Sequence, residues 1–500
     1  MGIFRRLLKS PLALVAAAVV GAAASVIEPQ QRVCIVGAGV GGSATASFLR
    51  TLVPDASAVE IVVFEQHAIL GGRIATFDYH GATIEAGGTV FLTGNEYIMQ
   101  FTKALNLTLR IPGDTLSSPP QMGIFNGREI VFETSPISWW NTAKLMWRYG
   151  PTSLRAFRGV VNDLLTRFRR VYDLQAAGHA FADPADLLRA MGTFDIRICN
   201  PNVQVDLYHL TTVTLESKLA EAGVSPLLIN ELLAGITRVN YGQNTTMTAL
   251  AGAVGLAGSG DDLRAVQGGN PLMIQGLLQL AQAVVHVNTK VNAIHTTPLQ
   301  VDTSSGSFSC DAVVVATPLE LSDVLLPLTV PKRPFQTTHA TFVEGELRPA
   351  KFGLASVLSA GMILTVEDAS IPFSSMGLQF QRLDAHKNNQ TVSLFKVFSR
   401  SRWTDDDVND WFLDGANVIK RFPWRAYPTY VAPETIPKFK LADGVYYVNA
   451  IESAASAMEM SAVGARNVAL LVAKQLKERA KSSELVYEAT RDAKAATDEL

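Results

Sequence analysis

A chain of 500 residues is too long for one ordinary hydrophobic core, so we expect two intertwined domains. Hydrophobic residues make up 48% and charged residues 18%, which excludes a wholly disordered chain. The formal net charge of −2 gives no reason to expect a nucleic acid partner. The eight histidines are dispersed without the spacing of a zinc helix, so no metal site is predicted.

The N-terminus has the layout of a secretory signal peptide over residues 1–24. Basic residues precede an uncharged run rich in Ala and Val, Leu12–Ile27, and Ala22–Ala24 offer a cleavage site. The run is short for a membrane span, but an uncleaved signal anchor stays open as the alternative.

Entry into the secretory pathway would give meaning to three N-x-[ST] sequons, at Asn106, Asn244 and Asn389. Asn244 is the least favoured glycan acceptor because it lies close to a motif that we treat as functional. The last four residues, Thr497–Leu500, resemble a degenerate ER-retrieval signal. The predicted location is therefore the secretory pathway, in the lysosome, the vacuole or the ER lumen.

The strongest motif opens the globular part of the chain. Val33–Val36 predicts a buried parallel strand. Gly37, Gly39 and Gly42 then fit G-x-G-x-x-G before a stretch of helical length, a turn whose backbone N–H groups can approach a pyrophosphate. The next apolar strand ends on Glu65, 23 residues after Gly42, where dinucleotide folds place the acid that binds a ribose diol. A glycine turn with a purely steric role is the alternative.

A second glycine turn, Gly71-Gly72-Arg73, follows Glu65 after five residues. In this position it resembles the FAD-binding motif of the flavin amine-oxidase and glutathione-reductase-like superfamily. Arg73 would pair with a pyrophosphate that the helix end only partly neutralises. We therefore predict FAD as the cofactor, whereas the competing NAD-dependent dehydrogenase would be a colourless protein.

Two glycines, Gly87 and Gly88, interrupt the next predicted strand, Ala82–Val90. In the superfamily the corresponding loop passes close to the flavin ring, where only glycine leaves room for the backbone. An ordinary β-turn is the alternative interpretation.

Cysteines and aromatic residues suggest less about function. Cys34, Cys199 and Cys310 are too few and too scattered for a disulfide framework or a zinc site. Cys34 and Cys310 lie in apolar strand patterns, which favours buried small side chains over reactive thiols.

Ile137–Leu174 combines aromatic with basic residues, which fits either an amphipathic surface on an anionic membrane or two helices that pack their aromatic side chains inward. The charges exclude a transmembrane helix in this stretch.

The order of motifs is characteristic of one family. It runs GAGVGG, EQHAILGGR, EAGGTV, RVNYGQ, GAVGLAGS, AVQGGN, VVVATPL and YYVNAIESAASAMEMSA. From about Arg32 to Val472 this order resembles the prenylcysteine oxidases, described in plants as farnesylcysteine lyases. The glycine motifs mark only the superfamily, while RVNYGQ with GAVGLAGS, and AIESAASAMEMSA, are specific to the family. The polar extension beyond about residue 476 departs from the family pattern.

The expected fold is α/β, with a Rossmann-like FAD-binding domain that is discontinuous in sequence and an inserted α+β substrate-binding domain. The predicted boundaries are 31–95, 236–325 and 441–476 for the FAD-binding domain, 96–235 and 326–440 for the substrate-binding domain, and 477–500 for a charged C-terminal tail.

The resemblance implies an FAD-dependent thioether oxidase that acts on farnesyl- or geranylgeranyl-cysteine from degraded prenylated proteins. Its products would be free cysteine, an isoprenoid aldehyde and hydrogen peroxide, with molecular oxygen as the acceptor. The oxidised carbon lies between sulfur and an alkene, so loss of hydride leaves a cation that both neighbours stabilise. No strong base is needed, and the demands are orientation and a dry apolar channel.

Residue roles follow from the resemblance. Besides the glycines and Glu65, four residues are expected to contact the cofactor. Arg73 would bind a phosphate, and Val291 would contact adenine through its backbone. Glu452 would bind the ribityl or pyrophosphate region, and Met460 belongs to a helix start that would face flavin O2. For the substrate we name Asn240, Tyr241 and Gln243, with Glu459 as a candidate acid or base. Tyr241 is equally compatible with a packed core position.

Two further functions stay open. The first is a flavin amine oxidase or carotenoid-type desaturase, although the sequence shows no aromatic pair of the kind expected around an amine. The second is a lipid-binding secretory protein that retains FAD without catalysis.

Overall fold

The computed structural model describes residues 31–113, 116, 120–192, 206–258, 262–356, 358–384 and 390–498. The predicted signal peptide, Cys199, the sequon at Asn389 and the last two residues lie outside these ranges. No helix within them combines the length and apolarity that crossing a membrane requires. The same residues contain no cluster of three or more His, Cys, Asp or Glu side chains that could hold a metal ion.

The described residues form 21 strands, which lie before Thr134 and after Asp262. They are β1 (Gln31–Val36), β2 (Val59–Phe64), β3 (Thr76–Tyr79), β4 (Ala82–Glu85), β5 (Phe91–Leu92), β6 (Leu109–Arg110), β7 (Gln121–Phe125), β8 (Ile130–Glu133), β9 (Leu263–Val266), β10 (Val284–His286), β11 (Val291–Thr296), β12 (Leu299–Thr303), β13 (Gly306–Ser309), β14 (Ala312–Val315), β15 (Phe335–Glu344), β16 (Ala360–Thr365), β17 (Ser375–Asp384), β18 (Gln390–Ser399), β19 (Asn417–Pro428), β20 (Lys440–Ala442) and β21 (Val445–Tyr447).

The helices concentrate between β8 and β9 and at the C-terminus. They are α1 (Val40–Leu52), α2 (Glu96–Ala104), α3 (Ser138–Tyr149), α4 (Pro151–Phe168), α5 (Arg170–Ala176), α6 (Pro184–Gly192), α7 (Leu215–Glu221), α8 (Pro226–Leu228), α9 (Ala234–Tyr241), α10 (Ala249–Ala257), α11 (Pro271–Leu280), α12 (Asp405–Trp411) and α13 (Met458–Asp498). A π-helical turn, Ile229–Leu233, joins α8 to α9, and a 3₁₀ segment, Val448–Ser453, follows β21.

A six-stranded sheet in the order β10-β2-β1-β14-β21-β20 carries the dinucleotide motif. Its first five strands are parallel. The apolar runs of β1 and β14 are buried on both faces, as is usual for strands of a parallel sheet. α1 packs against α13 and α11 beside this sheet. The Rossmann-like α/β class is therefore confirmed, and strands that lie far apart in sequence share one sheet. The domain boundaries stay predictions.

A second sheet of seven strands has the order β19-β15-β18-β17-β16-β7-β8, and α9 packs against its strands β16 and β17. It has its own core, in which aromatic side chains including Phe125, Phe373, Trp403 and Trp411 pack together. Two of its strands, β7 and β8, come from residues 121–133, well upstream of the other five.

The two cysteines assigned to apolar strands form a disulfide, Cys34–Cys310, across 276 residues of sequence. Both side chains are buried, as expected, but the prediction of unpaired small side chains was wrong. β14 pairs in parallel with β1, and this pairing brings Cys310, just before β14, to Cys34 with a Cα–Cα distance of 6.0 Å. A separation of this length leaves no local signal in the sequence.

Local predictions were wrong at one strand. The sequence pattern of His286–Val291 predicts one strand, but β10 ends at His286 and β11 begins at Val291. Asn288 lies between them in a left-handed conformation, with φ of 52°, which ends an extended run. Near the C-terminus, the helix begins at Met458, as the proposed flavin-facing helix start requires.

Candidate cofactor and substrate site

A cavity of about 1560 Å³ lies between the two sheets and extends to the helices α3, α4, α9 and α10. Ordinary ligand pockets measure roughly 300–1,000 Å³, so this cavity has room for a dinucleotide and a second ligand. Its lining includes both glycine turns, the start of α13 and a set of apolar side chains from the helices.

The β1–α1 turn forms one end of the cavity lining. Gly37 has a φ of +103°, and a Cβ at Gly42 would lie 2.0 Å from the Gly37 carbonyl oxygen, so neither position accepts a side chain without strain. Gly39 is the N-cap residue of α1, and no described side chain accepts a hydrogen bond from the first N–H groups of this helix. The first N–H groups of a helix have no partner within the helix, so they make this turn an anion site. The steric requirement for glycine is therefore observed, and the binding of a pyrophosphate at this turn stays a prediction that the geometry allows.

Glu65 ends β2 beside this turn and is buried at the cavity edge. Its Oε2 accepts a hydrogen bond from the Ala38 N–H at 3.0 Å, and its Oε1 accepts one from the His67 N–H at 3.0 Å. A carboxylate has about four lone-pair sites, so acceptor capacity is left for a ribose diol.

Arg73 and Glu452, both predicted to bind the cofactor, form an ion pair with each other. The Arg73 guanidinium also donates to the Ala426 carbonyl oxygen at 2.9 Å and lines the cavity. Glu452 is buried, and its Oε2 has no hydrogen-bond partner among the described residues. The sequence placed both residues near the phosphates but did not predict that they pair.

Three buried polar atoms without partners in the described chain lie close together in sequence at the 3₁₀ segment after β21. They are Asn449 Oδ1, Glu452 Oε2 and Ser453 Oγ. Buried polar atoms are almost always hydrogen-bonded, and Asn449 lines the cavity. This cluster, together with the glycine turn and Glu65, fits a bound polar cofactor such as FAD.

The Gly87-Gly88 loop packs on the second glycine turn. A Cβ at Gly87 would lie 2.0 Å from the Arg73 carbonyl oxygen, and the Gly88 N–H donates to the same oxygen at 2.9 Å. The glycine requirement at position 87 is thus explained by contact with backbone, while both glycines also line the cavity. Val291, at the start of β11, and Met460, in the first turn of α13, line it as well.

The RVNYGQ motif lies at the C-terminal end of α9 and divides into two groups. Asn240 and Tyr241 line the cavity. Asn240 Nδ2 donates to the Gly255 carbonyl at 2.8 Å, and the Tyr241 hydroxyl donates to the Ser456 carbonyl at 2.9 Å. Burial raises the pKa of Tyr241. Both side chains are held by α10 and by the segment before α13, which favours a positioning role.

Gln243 is not among the described residues that line the cavity. Its Nε2 donates to the Pro428 carbonyl at 3.0 Å, and its Oε1 accepts from the Tyr430 N–H at 2.8 Å. These contacts hold the end of β19 against α9. The geometry therefore favours a structural role over the substrate contact that we predicted.

Glu459 is buried, and its carboxylate accepts three hydrogen bonds. Oε1 accepts from the Tyr97 N–H at 2.9 Å and the Tyr172 hydroxyl at 2.8 Å, and Oε2 accepts from the Ile98 N–H at 3.0 Å. The two N–H donors belong to the first turn of α2, so Glu459 satisfies helix-end groups from outside the helix. Desolvation by burial raises its pKa. This arrangement favours a structural role over acid–base chemistry.

Sequence reasoning missed a buried lysine in the cavity lining. Lys396 on β18 donates to the Glu85 carbonyl at 3.1 Å and to Thr89 Oγ1 at 3.2 Å, and its ammonium lies 4.7 Å from the centre of the Phe398 ring. Burial lowers the pKa of Lys396 to about 8. The available signal was a lysine within an otherwise apolar strand pattern, SLFKVF.

Glu85 lies beside Lys396 and is the second titratable group that the sequence did not reveal. Its Oε1 accepts from the Asn270 N–H at 2.9 Å, while its Oε2 is buried without a partner in the described chain. Burial raises the pKa of Glu85 to about 7. A carboxyl and an amine, both with shifted pKa values, thus line the same part of the cavity.

The helical side of the cavity is apolar. We call its six side chains the apolar wall: Leu145 of α3, Phe157, Leu164, Leu165 and Phe168 of α4, and Leu232 of the π-helical turn. Such a surface matches an isoprenoid chain because it offers dispersion contacts and excludes water.

An aromatic pair also lines the cavity, although the sequence did not reveal one. The rings of Tyr241 and Tyr427 meet edge to face with centroids 4.9 Å apart. The absence of such a pair was our sequence-based reason to disfavour an amine oxidase, and the structure removes that reason.

Comparisons with known proteins agree with the motif order. The family model described as prenylcysteine lyase matches residues 132–484, and a model of an NAD(P)-binding Rossmann-like domain matches residues 35–105. The chain is 36% identical over 460 residues to farnesylcysteine lyase of Arabidopsis thaliana, covering 88% of this chain and 87% of that protein. It is 35% identical to human prenylcysteine oxidase 1, covering 89% of each.

Among solved structures, cyclohexylamine oxidase from Brevibacterium oxydans superposes with a TM-score of 0.55 at 16% sequence identity, covering 90% of this chain and all of that one. At that identity the likeness shows a shared fold and nothing about the substrate. The family model and the two relatives span most of the chain, and together they establish that it belongs to the prenylcysteine lyase family.

Proposed function

We propose that this protein is an FAD-dependent thioether oxidase that cleaves farnesyl- or geranylgeranyl-cysteine. One observation supports this most directly: a single cavity combines a dinucleotide-binding turn with the apolar wall. With oxygen and water, the substrate would give free cysteine, an isoprenoid aldehyde and hydrogen peroxide. Membership of the family points to the same substrate.

The residues that would hold FAD are the α1 N-terminus at the pyrophosphate, Glu65 at the ribose, and the Arg73–Glu452 pair with Asn449 at the polar middle of the cofactor. When bound, FAD supplies a two-electron acceptor for the hydride that leaves the carbon next to sulfur. Glycine is required at Gly42 and Gly87 because side chains there would clash with the backbone of the two glycine turns, and Gly37, Gly39, Gly71 and Gly72 of these turns line the space that the cofactor would occupy.

The chain's own contribution to the reaction is orientation and exclusion of water. The apolar wall would bury the prenyl chain, while Asn240 and Tyr241 keep their hydrogen bonds to backbone carbonyls and so fix the cavity wall. Since the cation that forms next to sulfur is internally stabilised, no side chain has to remove a proton in the first step. Lys396 and Glu85 both line the cavity, and their shifted pKa values would let them exchange a proton near neutral pH.

The deciding experiment is an aerobic assay of the purified protein with farnesylcysteine that follows peroxide, free cysteine and the flavin spectrum together. We expect peroxide and cysteine in equal amounts, and bleaching of the flavin when oxygen is removed. A yellow protein whose flavin stays oxidised with this substrate would contradict the proposal. Bleaching by an amine instead would favour the amine-oxidase alternative, which the Tyr241–Tyr427 pair keeps open.

We also propose that the protein matures in the secretory pathway. The N-terminal sequence supports this, and so does the disulfide, because such bonds persist in oxidising compartments. Of the described sequons, Asn106 is exposed, while Asn244 Oδ1 is engaged by Thr246. Expression in eukaryotic cells should therefore give a glycosidase-sensitive mobility shift that Asn106→Gln reduces. Protein recovered in the cytosol without glycans would contradict this location.

A further inference from the structure

The outer face of α3 exposes several large apolar side chains to solvent. Trp139 is 71% exposed and Trp147 is 94% exposed, and Trp140, Met146 and the preceding Ile137 are exposed as well. Trp139 and Met146 are seven residues apart, as are Trp140 and Trp147, so these four side chains form two neighbouring rows on one side of the helix. We call this set, with Ile137, the tryptophan face. The inward-packing interpretation of the tryptophans is therefore wrong, although it holds for Phe157, Phe168 and Tyr172.

The opposite side of the same helix faces the interior. Leu145 belongs to the apolar wall of the cavity, and Tyr149 is buried. Arg148 is tied to Glu231 through its Nε at 2.7 Å, which anchors α3 to the helical layer. α3 is thus a single layer of structure between the tryptophan face outside and the cavity inside.

The charge around the tryptophan face is strongly positive, in contrast to the chain as a whole. Residues 137–170 contain seven Lys and Arg side chains against one acid, Asp163, whereas the net charge of the chain is −2. Arg155 and Arg158 of α4 and Arg169, directly after this helix, are exposed, and α4 packs against α3. Exposed tryptophans beside a helix with exposed arginines match the interface of a bilayer with anionic headgroups, where indole rings and cationic side chains both find partners.

We infer that the tryptophan face docks on an anionic lipid surface and that α3 forms the gate through which a prenylated substrate passes from the bilayer to the cavity. The bilayer is the occupant because the face combines interfacial aromatic residues with positive charge, and because its supporting helix lines the apolar wall. Only the passage of substrate rests on the proposed function; the docking does not.

The test uses the purified flavin-loaded protein and vesicles of phosphatidylcholine, with and without phosphatidylglycerol. We expect co-flotation with the mixed vesicles, weaker binding to phosphatidylcholine alone, and a blue shift of tryptophan fluorescence. Trp139→Glu with Trp147→Glu should weaken binding about tenfold or more, since these side chains would otherwise insert into the interface. Arg155→Ala with Arg158→Ala should weaken binding to mixed vesicles about fivefold per charge and leave binding to phosphatidylcholine unchanged.

The matched control is Leu383→Glu, which changes an equally exposed apolar side chain on β17, outside the tryptophan face. It should bind like the wild type. Failure of the wild-type protein to bind either vesicle, or wild-type binding by the tryptophan variants, would overturn the inference. A wild-type dimer that the tryptophan variants convert to monomer would also overturn it, since the face would then contact a second copy.

Activity measurements separate this inference from the proposed function. The tryptophan variants should keep wild-type turnover of a short-chain, water-soluble thioether and lose turnover only of farnesylcysteine presented in vesicles. Vesicle binding without any turnover would contradict the proposed function and leave the docking intact. Turnover with no vesicle binding would contradict the docking and leave the proposed function intact.

Discussion

Gly42 has no space for even one added carbon, because a Cβ there would lie 2.0 Å from the carbonyl oxygen of Gly37. Backbone cannot yield as a flexible side chain does, so we expect Gly42→Ala to destabilise the protein by about 3 kcal/mol or more. The flavin absorbance per protein should fall with it. Gly159→Ala is the control: this glycine lies in α4 with open space around it, and alanine should stabilise the helix by up to about 1 kcal/mol. Wild-type flavin content and melting temperature in Gly42→Ala would contradict this explanation.

Glu85 gives a prediction about pH. Burial raises its pKa in the folded protein from 4.5 to about 7, so the folded state binds more protons than the unfolded state between these values. Its contribution to the free energy of unfolding is complete below pH 4.5 and is lost as the pH rises to about 7. The loss is on the order of 3 kcal/mol. Glu85→Gln mimics the protonated form, so its stability relative to the wild type should increase across this range.

Urea unfolding at several pH values between 4.5 and 7.5 measures this difference directly. The exposed Glu129→Gln is the control and should run parallel to the wild type. Parallel curves for Glu85→Gln would show that the carboxyl is not protonated in the folded protein. Above pH 7 the neighbouring Lys396, whose pKa is lowered to about 8, adds the opposite trend, so the comparison is confined to the lower range.

At this scale the sequence predicted which residues line the cofactor cavity better than it predicted what they do. Glycines and a strand-end acid are set by a local turn, so Gly37, Gly39 and Glu65 could be placed in the cavity lining from spacing alone. Partners that come from distant segments could not be, and the Arg73–Glu452 pair is of this kind. Gln243 and Glu459 were chosen from motifs of the family, but tertiary hydrogen bonds engage both side chains.

Among the elements, α4 offers the sharpest test of the apolar wall. Leu165 lines the cavity, whereas the next residue, Thr166, is exposed. Leu165→Trp would fill part of the space for the prenyl chain, and overpacking costs about 1–3 kcal/mol. The longer geranylgeranyl chain needs more of that space, so kcat/KM should fall about tenfold more for geranylgeranyl-cysteine than for farnesylcysteine. Thr166→Trp should leave both values unchanged, and equal losses for both substrates in Leu165→Trp would contradict the assignment.

Elements with a local sequence signal were predicted, and those that depend on pairing were not. The glycine turn predicted α1. The acidic run Asp405–Asp407 is a local signal of the same kind for the start of α12, where Thr404 and Asp407 form a capping box. The turn that separates β10 from β11 depends on a left-handed Asn288, for which the apolar pattern carried no signal. The assignment of β7 and β8 to the second sheet likewise follows from pairing with β16, far along the chain.

For the whole molecule, the central sheet is assembled from segments that lie hundreds of residues apart. β1 and β14 are neighbours in this sheet, and the Cys34–Cys310 disulfide joins their segments covalently. Closing a loop of 276 residues restricts the unfolded chain strongly, which corresponds to about 3–5 kcal/mol of stabilisation when native geometry is kept. The sheet and its cofactor site should therefore depend on an oxidising environment for their full stability.

This dependence can be measured with Cys34→Ala combined with Cys310→Ala, which removes the bond and leaves two small buried side chains. We expect a lower midpoint of urea unfolding and faster loss of flavin on warming, because the disulfide joins the strand that leads into the glycine turn to its neighbour. Cys199→Ala should behave like the wild type, and a reducing agent should lower the midpoint of the wild type and of Cys199→Ala but not of the double variant. If reduction left the wild-type midpoint unchanged, the disulfide would contribute nothing to stability, and the support that it lends to a secretory location would be lost.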